Sequence, residues 1–215
     1  MVKIEAVIFD YGKVLSLDQC SDRVANMAEL LTTPREQFLS SYWSYRLDYD
    51  RGDLNAEAYW GNVGSQLARQ VDSDTRARLV EEDIRSWLRP NHDMIGWALE
   101  LHTAGLLIGL LSNMPSDLAE AVESDCDWLP EFHHRTFSCA VRSVKPDRRI
   151  YEDCLAGLGV EPSAALFLDD RPENIDAARD IGMEAHQFSD AATLKRWLQE
   201  HSHDTLREEL PHPRS

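Results

Sequence analysis

Val7-Ile-Phe-Asp-Tyr-Gly-Lys-Val-Leu15 is an apolar run that delivers one carboxylate and then turns. From Ile4 to Phe9 the residues are mostly apolar and β-branched, the composition of a strand buried on both faces. Such a strand belongs in a parallel sheet covered by helices. Asp10 sits where the run stops, and Gly12 permits a tight backbone path just beyond it. Ligands of open α/β sheets gather outside the carboxyl ends of the strands. Asp10 is therefore either a candidate for chemistry or a plain turn cap.

Working outward, residues 16–89 have helical texture. Val24, Met27, Ala28 and Leu31 follow helical spacing, and Thr33-Pro34-Arg35-Glu36 has the form of a capping box with proline at the first helical position. That helix carries Phe38, Tyr42 and Tyr45 on one stripe. Asp50-Arg-Gly-Asp53 is a turn, and Asn55 caps a third helix bearing Trp60, Val63 and Leu67. A fourth presents Val80, Ile84, Trp87 and Leu88 before Pro90 stops it. Four short amphipathic helices in succession make a small bundle, and one inserted after the first strand is expected to lie over that strand's end.

Beyond residue 90 the rhythm changes. A helix over Asn91 to His102 leads to a buried strand at Leu106 to Leu111, and Pro115 starts another helix. Phe137 to Val141 is a third strand candidate. A helix from Arg148 to Leu158 is closed by Gly159, Ala164 to Leu168 is a strand, and Pro172 to Ile181 is a helix closed by Gly182. A short strand near Glu184 to Phe188 and a last helix to Glu200 complete the pattern. Strands alternating with helices call for a doubly wound, Rossmann-like parallel sheet, here 1–15 and 90–200 with the helical cap 16–89 inserted. The tail 201–215 is polar and broken by proline, with His201, His203 and His212 too loosely spaced for a metal site.

Composition narrows the class. Of 215 residues, 43% are hydrophobic and 28% charged, as in an ordinary soluble globular protein. No apolar run approaches the ~20 residues that span a bilayer, and the start of the chain has no export signal. Cys20, Cys126, Cys139 and Cys154 are scattered without a Cys-x-x-Cys pair, which points to reduced thiols and a cytoplasmic location. The net charge of −16 argues against nucleic acid or an anionic membrane as partner. A phosphorylated substrate is compatible with it when local cations offset the repulsion. The assembly expected is a monomer or homodimer.

Four strand ends carry side chains suited to chemistry. They give Asp10, then Ser112-Asn113, then Lys145-Pro146, then Asp169-Asp170 with Asn174 a helical turn further on. Singly each reads equally well as a turn or cap residue. Two adjacent carboxylates at the end of a buried strand, however, repel unless a cation sits beside them.

Together these residues resemble the haloacid dehalogenase superfamily of aspartate-nucleophile hydrolases, over nearly the whole chain: Phe9-Asp10-Tyr-Gly-Lys-Val-Leu15, Leu111-Ser112-Asn113, Lys145-Pro146-Asp147 and Phe167-Leu-Asp-Asp-Arg-Pro-Glu-Asn174. The inserted helices look like that family's lid of the first type. The resemblance implies a phosphomonoester hydrolase in which Asp10 forms an aspartyl-phosphate. Mg²⁺ is then held by Asp10, the Gly12 carbonyl and Asp170, with Asp169 acting through water and Asn174 orienting the acids. It also implies that Ser112 and Asn113 bind phosphoryl oxygens and that Lys145 offsets charge between nucleophile and phosphate. Lys13, at the lid entrance, is either an exposed loop lysine or a second cation for the phosphate. In the lid, Arg46 or Trp43 faces a small phosphorylated metabolite, a sugar phosphate being the type example.

The pattern departs from the family at Gly12, where most of its phosphatases carry a second aspartate as general acid and base, help worth ~10²–10⁴-fold. Phosphatases that look like sugar-phosphate phosphatases share an Asp-x-Gly opening. The 2-haloacid dehalogenases also lack that aspartate and work without metal, and Tyr151 fits their pattern. Against them, Asp169-Asp170 would crowd an anionic substrate, and Val14 stands where they usually carry threonine. A third reading is a low-turnover phosphate- or partner-binding protein.

Overall fold

The computed structural model describes residues 3–201; the remainder of the tail, with His203 and His212, lies outside the described residues. Five strands form one parallel sheet: β1 (Ala6–Phe9), β2 (Leu107–Ser112), β3 (His134–Phe137), β4 (Ala165–Asp169) and β5 (Glu184–Gln187). Their order is β3-β2-β1-β4-β5. The chain winds from the centre to one edge and then back to the other, so β1 lies between β2 and β4 at the switch point where doubly wound sheets bind ligands. The expected α/β class holds.

Burial on both faces explains the strand composition. Val7, Phe9, Ile108, Leu110, Leu166 and Leu168 enter one apolar cluster, whereas Ala6, Ile8, Leu111, Ala165, Phe167 and Ala185 enter the other. The alternation is that of side chains on a pleated strand. The third strand departs from expectation. It runs over His134–Phe137, and Ser138–Val141 is instead a helical turn. An edge strand keeps polar residues where solvent reaches it, so His134 and Arg135 disguised it while the apolar run that followed imitated it.

Five helical segments lie between β1 and β2's preceding helix: α1 (Ser21–Leu30), α2 (Arg35–Ser44), α3 (Arg46–Asp50), α4 (Ala56–Gln66) and α5 (Ser73–Trp87). Of the four helices expected, the second is broken at Tyr45 into α2 and α3. Pro34 stands at the N-cap of α2 without a side-chain cap bond, so the capping box does not form. Asn55 does cap α4, accepting from the Ala58 N–H at 2.9 Å. These helices have an apolar cluster of their own, built from residues such as Met27, Phe38, Tyr42, Trp60 and Leu79. The remaining helices, α6 (His92–Thr103), α7 (Ser116–Asp125), α8 (Ser138–Val141), α9 (Arg148–Leu158), α10 (Pro172–Asp180) and α11 (Ala191–Glu200), flank the sheet. No helix among the described residues is long and apolar enough to cross a membrane. All four cysteines are free.

Candidate active site

Parallel register brings the strand ends together. Phe9 is paired with Leu110 on one side and Leu168 on the other, and Asp10 N–H continues the ladder to Leu168 O at 2.9 Å. Asp10 and Asp169 therefore emerge side by side, with Ser112 one strand away. Lys145 arrives from the loop after α8 and is buried. Its ammonium donates to Asp10 Oδ1 at 2.8 Å, Asp169 Oδ2 at 2.6 Å and Leu111 O at 3.0 Å. Those three bonds use all three donors of an ammonium. Burial opposes the Lys145 charge, but Asp10 and Asp169 outweigh it and hold its pKa above the usual lysine range.

The side chain of Asn113 is committed to the same loop. Its amide donates to Lys145 O at 3.0 Å and accepts from Lys145 N–H at 2.8 Å. The structure thus gives the Asn113 side chain the task of fixing Lys145, and the residue also lines the cleft. Ser112 is buried and lines the cleft floor beside Asp10.

Asp169 is wholly buried and fully bonded. Its Oδ1 accepts from the Arg171 N–H at 2.8 Å and Asn174 Nδ2 at 3.0 Å, and its Oδ2 accepts from Asn174 Nδ2 at 2.9 Å as well as from Lys145. Tyr151 donates to Asn174 O at 3.0 Å and so holds the helix start that carries this amide. Asp170 points to the other side, where Lys13 Nζ pairs with it at 3.2 Å and with Asp18 at 3.7 Å. Lys13 is thus both half-exposed and part of the site.

The oxygens of Asp10, Asp169 and Asp170 lie within 4.8 Å of one another. Burial first, then the neighbouring Asp169 and Asp170 charges, push the Asp10 carboxyl up to about 7 despite the opposing pull of Lys145. Lys145 and the half-exposed Lys13 leave the three converging acids one positive charge short. The donor set is all oxygen, and it fits a hard divalent cation.

The path after Asp10 runs through Gly12. Its backbone is ordinary, at φ −62° and ψ 126°, and the left-handed residue is Lys13 at φ 61°. A Cβ at Gly12 would meet Trp87 at 3.6 Å, an ordinary contact. The turn therefore tolerates a side chain at this position, and the missing carboxylate is not a demand of the backbone.

The opposite wall of the cleft, about 760 Å³ in volume, comes from the inserted helices. Trp43 and Arg46 both line it, as expected of one or the other. Arg46 is buried: Nε donates to Asp50 at 2.8 Å, and Nη1 donates to Asp83 at 2.9 Å and to Tyr42. Tyr42 in turn donates to Asp83 at 2.6 Å. Burial works against the Arg46 charge, yet Asp50 and Asp83 hold its pKa well above the ordinary value. Burial also pushes Asp50 up to about 6 against the pull of Arg46.

The sequence reading missed Asp50 and Asp83. It placed Val80, Ile84, Trp87 and Leu88 on the packing stripe of α5, and these are partly buried against the apolar clusters, but the fully buried residues are Leu79, Asp83 and Ser86. The spacing from Leu79 carried that signal.

The model of the haloacid dehalogenase-like hydrolases matches residues 4–182. Bifunctional epoxide hydrolase 2 of Rattus norvegicus is 35% identical over 215 residues, covering 91% of this chain; the chain spans 38% of that protein's length. Sesquiterpene phosphatase astK of Aspergillus oryzae is 26% identical over 190 residues, covering 87% of this chain and 91% of the relative. Among solved structures, HAD family enzyme BT-2542 of Bacteroides thetaiotaomicron, in complex with magnesium and inorganic phosphate, superposes with a TM-score of 0.72 at 17% identity. That superposition covers 89% of this chain and 98% of the other. Matched along most of its length, with an aspartate, a lysine and an acidic pair gathered at the carboxyl ends of the central strands of a doubly wound sheet, this chain belongs to the haloacid dehalogenase-like hydrolases.

Proposed function

We propose that the protein hydrolyses phosphomonoesters through a covalent phosphoryl group on Asp10, with Mg²⁺ as cofactor. The observation that carries this reading is the convergence of Asp10, Asp169 and Asp170, the first two on the saturated Lys145 and the third on Lys13. A dehalogenase acting on an anionic acid without metal has no use for that excess of negative charge. Two relatives point the same way: astK is named a phosphatase, and BT-2542 holds magnesium and phosphate.

Asp10 Oδ1 is engaged by the Tyr11 N–H at 2.7 Å and by Lys145, so Oδ2 is the oxygen assigned to attack phosphorus. The P–O bond to the alcohol breaks as the Asp10–phosphorus bond forms. Water then attacks the acyl phosphate and returns the carboxylate, releasing inorganic phosphate. Lys145 holds the nucleophile's orientation and offsets its charge so that a second anion can approach. The Ser112 hydroxyl donates to a phosphoryl oxygen. Asp10, Asp170 and the Gly12 carbonyl would hold Mg²⁺, with Asp169 aligned behind them by Asn174. Bound there, the ion would neutralise phosphoryl charge as a Lewis acid.

No side chain at position 12 protonates the leaving alcohol or takes the proton of the attacking water. The inserted helices act as a lid that shields the acyl phosphate from bulk water, the assignment given to residues 16–89. The test is release of phosphate from a panel of phosphomonoesters, and of halide from 2-haloacids, with Mg²⁺ and with EDTA. Phosphate release that requires Mg²⁺ is expected. Halide release in EDTA would establish the dehalogenase instead.

A further inference from the structure

Among the described residues, three large apolar side chains stand exposed: Leu17, Trp43 and Leu47. Their placement is not scattered. Trp43, at 50% exposure, and Leu47, at 49%, straddle the break between α2 and α3 and both line the cleft. Leu17 immediately precedes Asp18, which lines it too. Trp87, Met114 and Leu118 add apolar surface to the same space. The other large apolar side chains among the described residues are less exposed, and two of these three, Trp43 and Leu47, open on one cavity.

Much of the polar lining on that wall is engaged within the protein. Arg46 serves Asp50, Asp83 and Tyr42, and Gln19 Nε2 donates to Tyr42 at 3.2 Å and Ser86 at 3.0 Å. On the sheet side all three Lys145 donors are taken, and Lys13 faces Asp170 and Asp18. A polyhydroxylated leaving group entering this cavity would exchange water for tryptophan and leucine, leaving hydroxyls without partners.

We infer that the substrate is the monophosphate of an apolar alcohol, its hydrocarbon group lying against Trp43 and Leu47, and not a sugar phosphate. This rests on the phosphatase reading and narrows it. The geometry divides the cleft by chemistry: the carboxyl end of the sheet takes the phosphoryl group, and the α2–α3 corner takes the organic group. Discrimination by such a corner amounts to about 10–200-fold for a modest change in buried apolar surface.

The experiment compares kcat/KM for n-octyl phosphate and glucose 6-phosphate, both esters of a primary alcohol, using the full chain with Mg²⁺. Trp43→Ser and Leu47→Ser are measured beside the wild type, their folding checked by melting midpoint. Wild type is expected to prefer the octyl ester at least about tenfold, and each variant to lose at least about fivefold of that preference. Equal or better use of glucose 6-phosphate, or a preference unchanged in both variants, overturns the inference and leaves the phosphatase reading standing. Release from neither ester, nor from any phosphomonoester of the wider panel, overturns the phosphatase reading and this inference with it.

Discussion

Two buried cations face the cleft from opposite walls, and each holds two carboxylates. Lys145 on the sheet side binds Asp10 and Asp169; Arg46 on the helical side binds Asp50 and Asp83. On the helical side a tyrosine hydroxyl closes the network, with Tyr42 bonded to both Arg46 and Asp83. On the sheet side a third acid, Asp170, converges, and its cation is the half-exposed Lys13. One network is closed inside the protein, and the other opens onto the cleft through a half-exposed lysine and its acid. The difference separates a structural cluster from a site that is finished by what it binds.

The largest effect expected is at Asp10. Asp10→Asn keeps the shape but removes the attacking anion, so phosphate release should fall at least ~10³-fold. The same change should raise the melting midpoint in EDTA at pH 8, because it removes a carboxylate that burial and two neighbouring acids disfavour. A variant with a tenth of wild-type activity would break the assignment.

Arg46→Met tests the other wall. It leaves Asp50 and Asp83 buried without their cation, which should cost about 3–5 kcal/mol of stability in a denaturant titration. Replacing all three charges together, as Arg46→Met with Asp50→Asn and Asp83→Asn, should cost less than the single change. An undiminished midpoint for Arg46→Met alone would show that the cluster is not the closed ion-pair network described above.

A smaller, pH-resolved effect follows from Asp50. Its folded pKa is raised to about 6, above the ordinary 3.8, so the folded state binds the extra proton between those values. The stability linked to that proton is present below about pH 4 and lost as pH rises through 6. The stability of Asp50→Asn relative to wild type should therefore improve by about 1–3 kcal/mol between pH 4 and pH 6 and level off above it. A difference that is flat across this window would contradict the burial cost assigned to Asp50.

The two walls were also unequally legible in the sequence. The sheet wall could be read because each buried strand announces itself as an apolar run and its polar residue follows at the carboxyl end, as Asp10, Ser112 and Asp169 do. Topology then places them together without further information. The edge strand β3 escaped because half-burial lets His134 and Arg135 stand in it. On the helical wall, Arg46 was singled out but its partners were not. Asp83 sits in Glu81-Glu82-Asp83, where charge alone does not tell which acid turns inward, and Asp50 lay in what read as a turn. Gly12 was read as permitting a tight path after Asp10; the backbone there is ordinary, and Lys13 carries the unusual angle. A glycine's φ is not visible in its identity.

Because position 12 accepts a side chain without a clash, the most direct measurement is rapid mixing with an aryl phosphate followed by acid quench, in wild type, Asp10→Asn and Gly12→Asp. An aryl leaving group departs without a strong acid, whereas the attacking water must still lose a proton, so the second half of the reaction should limit turnover. Wild type should show a burst approaching one aryl alcohol per chain and a trapped phosphoenzyme, Asp10→Asn should show neither, and Gly12→Asp should shrink the burst by speeding hydrolysis. Linear release from the first milliseconds with no label trapped on the wild-type protein would contradict a reaction through Asp10 limited by the missing carboxylate.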